Sequence, residues 1–147
     1  MATTVDRVPA HTAADVNQQI RDQMAERVEF FAVHPDRIPH RLSELDEEWD
    51  IERAIEANAS ALAFTGVVLG ATADRRWLIL PALVTAFLFQ HAVQGWCPPV
   101  PVLRRLGFRT AHEIEQERHA LKAIRGDFQA VSQSPNKPAA ALRAATA

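Results

Sequence analysis

The sequence predicts an all-α protein built on a two-helix antiparallel transmembrane hairpin, flanked by cytoplasmic or interfacial helices. Two charge-free apolar runs carry the prediction. No Asp, Glu, Lys or Arg lies between Glu56 and Asp74, and none between Arg76 and Arg104. A bilayer-spanning helix needs about 20 mostly apolar residues, within a range of roughly 17–25, so both runs are long enough. The join TADRRW permits only a tight connection, and two helices joined so closely run antiparallel. The spans are expected at about 57–73 and 77–95.

Residues 1–43 form an N-terminal extension. Thr12 to Asp15 reads as a helix start, and Val16, Ile20, Met24, Val28 and Phe31 follow at helical spacing, giving an amphipathic helix over about 12–33. The prolines of HPDRIPHR punctuate it. Ser43 then suits the cap of a helix that opens the hairpin domain, 44–110, and runs on into the first span. Pro81 falls early in the second helix, where a missing N–H costs least. Trp77 and Trp96 mark the two membrane interfaces. Beyond the prolines after Cys97, Thr110 and Glu113 form a capping box for an amphipathic helix over 111–131, with Ile114, Leu121, Ile124 and Phe128 as a thin stripe. SQSPNKPAAALRAATA, 132–147, reads as a disordered tail.

The charges are divided. Residues 1–56 hold 6 Lys and Arg against 13 Asp and Glu, whereas residues 98–147 hold 8 against 4. No basic face dominates, so nucleic acid is not an expected partner. Basic residues gather at the hairpin flanks (Arg41, Arg53, Arg104, Arg105, Arg109) more than at the turn (Arg75, Arg76), which places both termini in the cytoplasm. The Met1 end has no basic cluster leading into an apolar stretch, the pattern of a cleavable secretory signal.

The stretch GWCPPVPVLRRLGF after the second span resembles the YgaP-like inner-membrane hairpin domain, found in small bacterial proteins and also fused to rhodanese. The matching residues are Gly95, Trp96, Cys97 and Pro98, then Leu106, Gly107 and Phe108, within a resemblance covering about residues 50–110. The resemblance implies an integral inner-membrane protein that forms a homodimer. The segment before the hairpin is too short for a rhodanese and has no cysteine, so sulfurtransferase activity does not carry over.

Gly66 and Gly70 make a small-xxx-small stripe that either pairs two copies or packs the hairpin on itself; the resemblance favours the dimer. Asn58, Gln90, His91 and Gln94 come to one level in an antiparallel hairpin and are expected as a polar intramembrane cluster. Arg104, Arg105 and Arg109 suit lipid headgroups. Cys97 is the only cysteine. With His91 it could form a thiol site, since an adjacent imidazole lowers a thiol pKa, but no oxyanion hole, resolving cysteine or metal set accompanies it. His112, Glu115 and His119 share one helix face and read as solvated surface, not a metal site. No cofactor is expected. The reading is a small, non-enzymatic inner-membrane anchor or scaffold, contacting membrane lipid, a second copy and, through its terminal helices, a cytoplasmic protein. A thiol-dependent membrane protein in sulfur handling and a soluble helical bundle are the alternatives.

Overall fold

The computed structural model describes residues 5–146. It is all-helical, with 80% helix, and no strand occurs among the described residues. The chain divides into two compact units. One comprises the chain up to Ile20 together with Trp49–His112; the other comprises Arg21–Glu48 and the chain from Glu113 onward.

In the first unit, helix α1 (Ala14–Val33) begins after a short 3-10 turn, Pro9–His11. Its apolar positions Val16 and Ile20 are buried. The hairpin follows as α3 (Ile51–Thr72) and α4 (Ile79–Gln94). The Asp50 carboxylate caps α3 by accepting the Arg53 N–H at 2.7 Å. At the far end Asp74 accepts the Arg76 N–H at 2.8 Å and starts the connecting 3-10 turn, Arg75–Leu78. Pro81 lies in the first turn of α4, where its N–H would have no intrahelical acceptor. Gly95, at φ +78°, ends α4 in the left-handed conformation and returns its N–H to His91 at 2.7 Å. The short α5 (Val100–Arg105) comes next.

The two hairpin helices meet over glycine. A Cβ on Gly66 would lie 2.5 Å from Pro81 Cδ, and one on Gly70 would lie 2.6 Å from Leu78 Cδ2. The small-xxx-small stripe is therefore used inside the hairpin. At the end remote from the turn, Val8, Ile51, Ile55, Cys97 and Val100 form a buried cluster, with Leu88, Leu103 and Phe108 packed against it. The Ile51 N–H donates to Arg109 O at 2.8 Å, tying the start of α3 to the chain after α5. Along their outer flanks the helices are bare: Leu62, Phe64, Val67, Leu83 and Phe89 are all exposed.

The second unit holds the remainder of α1, a 3-10 turn Pro35–Arg37, α2 (Ile38–Glu47), α6 (Ala111–Arg125) from Glu113 onward, α7 (Gln129–Gln133) and α8 (Lys137–Thr146). Ile38, Leu42, Leu45, Ile114 and Leu121 are its buried cluster, with Phe31 against it. Of the stripe expected on the last amphipathic helix, Ile114 and Leu121 are buried while Ile124 and Phe128 are exposed. Gly126, at φ +90°, closes α6. Next to it Arg125 binds Asp127 through two guanidinium nitrogens and holds that carboxyl below the usual carboxylate range. The resulting stabilisation is present above the unfolded Asp pKa of about 3.9 and is lost as pH falls through the lower folded value. It amounts to about 1 kcal/mol or less. An acid titration followed by circular dichroism is expected to show this loss, and Asp127→Asn is expected to remove it.

Four boundaries differ from the sequence expectation: the amphipathic helix expected over 111–131 stops at Arg125, because Gly126 turns left-handed and a separate α7 follows, and three others depart as follows. Ser43 does not open a helix: α2 starts at Ile38, because Pro39 sits in its first turn and is compatible with helix there. The helix does not run on into α3, since the chain turns extended at Glu48 and Asp50 caps a new helix. The region expected as a disordered tail contains α8, whose Ala140 and Ala144 are buried and whose Ala145 O accepts from the buried Lys122 Nζ at 2.9 Å. Alanine is the strongest helix former, which a composition-based reading of AAALRAA as low complexity overlooks. Residues 1–4 and 147 lie outside the described residues.

Candidate functional site

The chemistry-bearing residues gather at the end of the hairpin away from its turn. Because Gly95 turns the chain out of α4, Cys97 does not continue the helical face of Gln90 and Gln94, as a simple i, i+4, i+7 count would have it. It folds back into the Val8–Ile55 cluster instead and is 2% exposed.

The expected polar cluster is only partly assembled. Gln90 Nε2 donates to Gln94 Oε1 at 3.4 Å, along one exposed strip of α4. Asn58 Nδ2 turns back to its own helix and donates to Ala54 O at 2.9 Å. His91 is 5% exposed, and neither ring nitrogen has a hydrogen-bond partner. It is therefore not joined to Cys97. Burial also pushes the Cys97 thiol up from its ordinary pKa, away from the thiolate.

A contact that the sequence does not signal lies over the end of α4. Arg7 Nη1 donates to Ala92 O at 2.8 Å, and Val8 is buried in the cluster below. The chain at Arg7 passes directly over Gly95, where a Cβ would lie 2.6 Å from the Arg7 carbonyl carbon and oxygen. Gly95→Ala is expected to cost about 1–2 kcal/mol for the left-handed backbone alone, with a further cost for the overlap. Faster proteolysis or amide exchange around Asp6–His11 in that variant would confirm it; unchanged protection would contradict it. No local spacing signals this contact, since Arg7 and Ala92 are 85 residues apart.

The arginines divide. Arg104 is 1% exposed; its Nη1 donates to Phe108 O at 3.1 Å and its Nη2 to Asn17 Oδ1 at 3.0 Å. Arg109 is buried as well, at 4%. Their burial withdraws both from the lipid-headgroup role expected of them, and of the three only Arg105 is exposed. Two of the three cations therefore turn inward and one outward.

Beside Cys97 lies an apolar groove of about 240 Å³. Ile55, Asn58, Ala59 and Leu62 form its α3 wall, and Val84, Phe87 and Leu88 form its α4 wall. Cys97, Pro98 and Pro99 close one end.

On the last amphipathic helix, His119 Nδ1 lies 2.7 Å from Glu115 O, and the Glu115 carboxylate accepts from Arg118 at 2.8 Å. Among the described residues no three His, Cys, Asp or Glu side chains are grouped to hold a metal ion. Compared with known proteins, the chain matches no family model, no curated protein and no solved structure.

Proposed function

We propose that the protein is an integral inner-membrane anchor or scaffold whose α3–α4 hairpin crosses the bilayer, with both termini in the cytoplasm. One observation carries the reading. Two helices are long and apolar enough to cross a membrane, yet only 22% of the apolar window in the first and 6% of that in the second is buried in the protein. The core helices of a soluble bundle would be buried, whereas lipid solvates such flanks without cost. The 20 residues Arg75–Gln94 rise about 30 Å, the thickness of a hydrocarbon core.

In this reading the hairpin belongs with the YgaP-like domains, through Gly95-Trp96-Cys97-Pro98 and Leu106-Gly107. The glycine stripe is occupied by Pro81 and Leu78 of the same hairpin, so two copies pair over another exposed flank. The second unit supplies the surface for a cytoplasmic partner: an open cleft of about 360 Å³ bordered by Arg27, Phe30 and Arg41. A thiol-based activity has no supporting observation, because Cys97 is buried and His91 does not bond to it.

Reporter fusions test the topology. Green fluorescent protein at either terminus is expected to fluoresce, and alkaline phosphatase inserted at Asp74 is expected to be active. Phosphatase activity from a terminal fusion would overturn the orientation.

A further inference from the structure

We infer that the groove beside Cys97 holds one acyl chain of an anionic membrane phospholipid. The inference rests on the membrane-spanning reading above and assigns a ligand to the same hairpin.

The walls leave little to hydrogen-bond. Asn58 is the one polar side chain among the α3 and α4 walls, and its amide nitrogen already donates to Ala54 O. A trapped water needs two to four polar partners, so the occupant is apolar. The groove also runs along a helix. From Ile55 to Leu62 it follows α3 for about 10 Å at 1.5 Å per residue, which suits a linear chain. A second copy's helix, roughly 10 Å across, does not enter 240 Å³, and the close-approach stripe at Gly66 and Gly70 is already filled from within.

Its two ends match the two parts of a phospholipid. At the deep end Leu62 and Phe87, 49% and 40% exposed, belong to the apolar flank that the bilayer reading places in hydrocarbon. The other end is the Pro98-Pro99 lip, from which α5 leads directly to Arg105. Arg104 turns inward, so Arg105 is the exposed cation of α5, available to a headgroup phosphate. Apolar surface and positive charge thus follow one another as acyl chain and phosphate do.

The test uses the full chain in vesicles of mixed phosphatidylglycerol and phosphatidylcholine, released into mild detergent for native mass spectrometry. The wild type is expected to retain one phospholipid per chain, enriched in phosphatidylglycerol. Ala59→Phe, which fills the groove, is expected to lower that occupancy by about tenfold or more, the factor given by 1.4 kcal/mol; Ala59→Val serves as the smaller plug should the phenylalanine impair folding. Arg105→Gln is expected to keep the lipid and lose the enrichment. Retained lipid in both Ala59 variants, or a wild type that holds none while resisting alkaline extraction from membranes, overturns the groove assignment alone. Loss of a crosslinked dimer in Ala59→Phe with lipid unchanged assigns the groove to a second copy and overturns it too. Extraction of the wild type by alkali removes the membrane reading itself.

Discussion

Gly66→Leu is expected to part the hairpin helices and to lower the stability of the folded chain by about 1–3 kcal/mol, the range for overpacked interiors. The Cβ alone would stand 2.5 Å from Pro81 Cδ and 3.1 Å from Leu80 Cβ. Pro81 cannot yield, because its ring is fixed to the backbone at the start of α4. At Gly70 the obstacles are Leu78 Cδ2 at 2.6 Å and Cγ at 2.8 Å, atoms of a side chain that can rotate, where Pro81 cannot. Gly66→Ala is therefore expected to destabilise more than Gly70→Ala, an ordering that the stripe GVVLG does not itself contain. Thermal unfolding in detergent, with Val67→Leu on the exposed flank as control, measures both effects. If Gly66→Leu unfolds with the wild type while abolishing a crosslinked dimer, the stripe packs between copies and the hairpin geometry described above is wrong.

The other large effect is expected at Glu117. Its side chain is 0% exposed and accepts from Arg27 Nε at 3.1 Å and Arg41 Nε at 2.8 Å. Arg41 reaches Glu44 as well, at 2.9 Å, and that contact lowers the Glu44 pKa. Glu117→Ala leaves two guanidinium groups facing each other without their shared carboxylate. Arg27 and Arg41 are 31% and 16% exposed and Arg41 keeps Glu44, so the cost is that of losing charge-assisted hydrogen bonds, about 1.5–3 kcal/mol. Urea unfolding of the second unit, followed by circular dichroism, is expected to show a transition at much lower denaturant. Glu44→Gln, at the exposed end of the same network, is expected to leave it in place. Equal effects of the two substitutions would mean that Glu117 is not the centre of the network.

These two sites differ in how far the sequence reveals them. Charge-free runs and a short join are local, and two helices with a short turn between them overlap those runs, though α3 starts earlier, at Ile51. The glycine stripe is local too, but its partner is a matter of tertiary packing, and only the folded chain brings it against Pro81 and Leu78. Glu117 carries no such signal: on the helical wheel of α6 it is one glutamate among several, and its arginines lie 90 and 76 residues away. The same distance problem hides Arg104, which meets Asn17 across 87 residues, and so an inward-facing arginine reads as a headgroup ligand. At Gly95 the composition gives the residue but not its left-handed conformation, which is what turns Cys97 from a helical face into a core. Proline misleads in the opposite direction. Pro39 reads as a break, yet in a first helical turn it is a start.

In the proposed function lipid, not water, surrounds the hairpin. Phe64 and Phe89 decide it, because they are 71% and 72% exposed on the flanks of α3 and α4. In a Cys97→Ser background, Phe64→Cys in intact membrane vesicles can be challenged with a membrane-impermeant maleimide. No labelling is expected until the bilayer is dissolved with sodium dodecyl sulfate. Prompt labelling in intact vesicles, or recovery of the chain in a soluble fraction that labels at once, would contradict it.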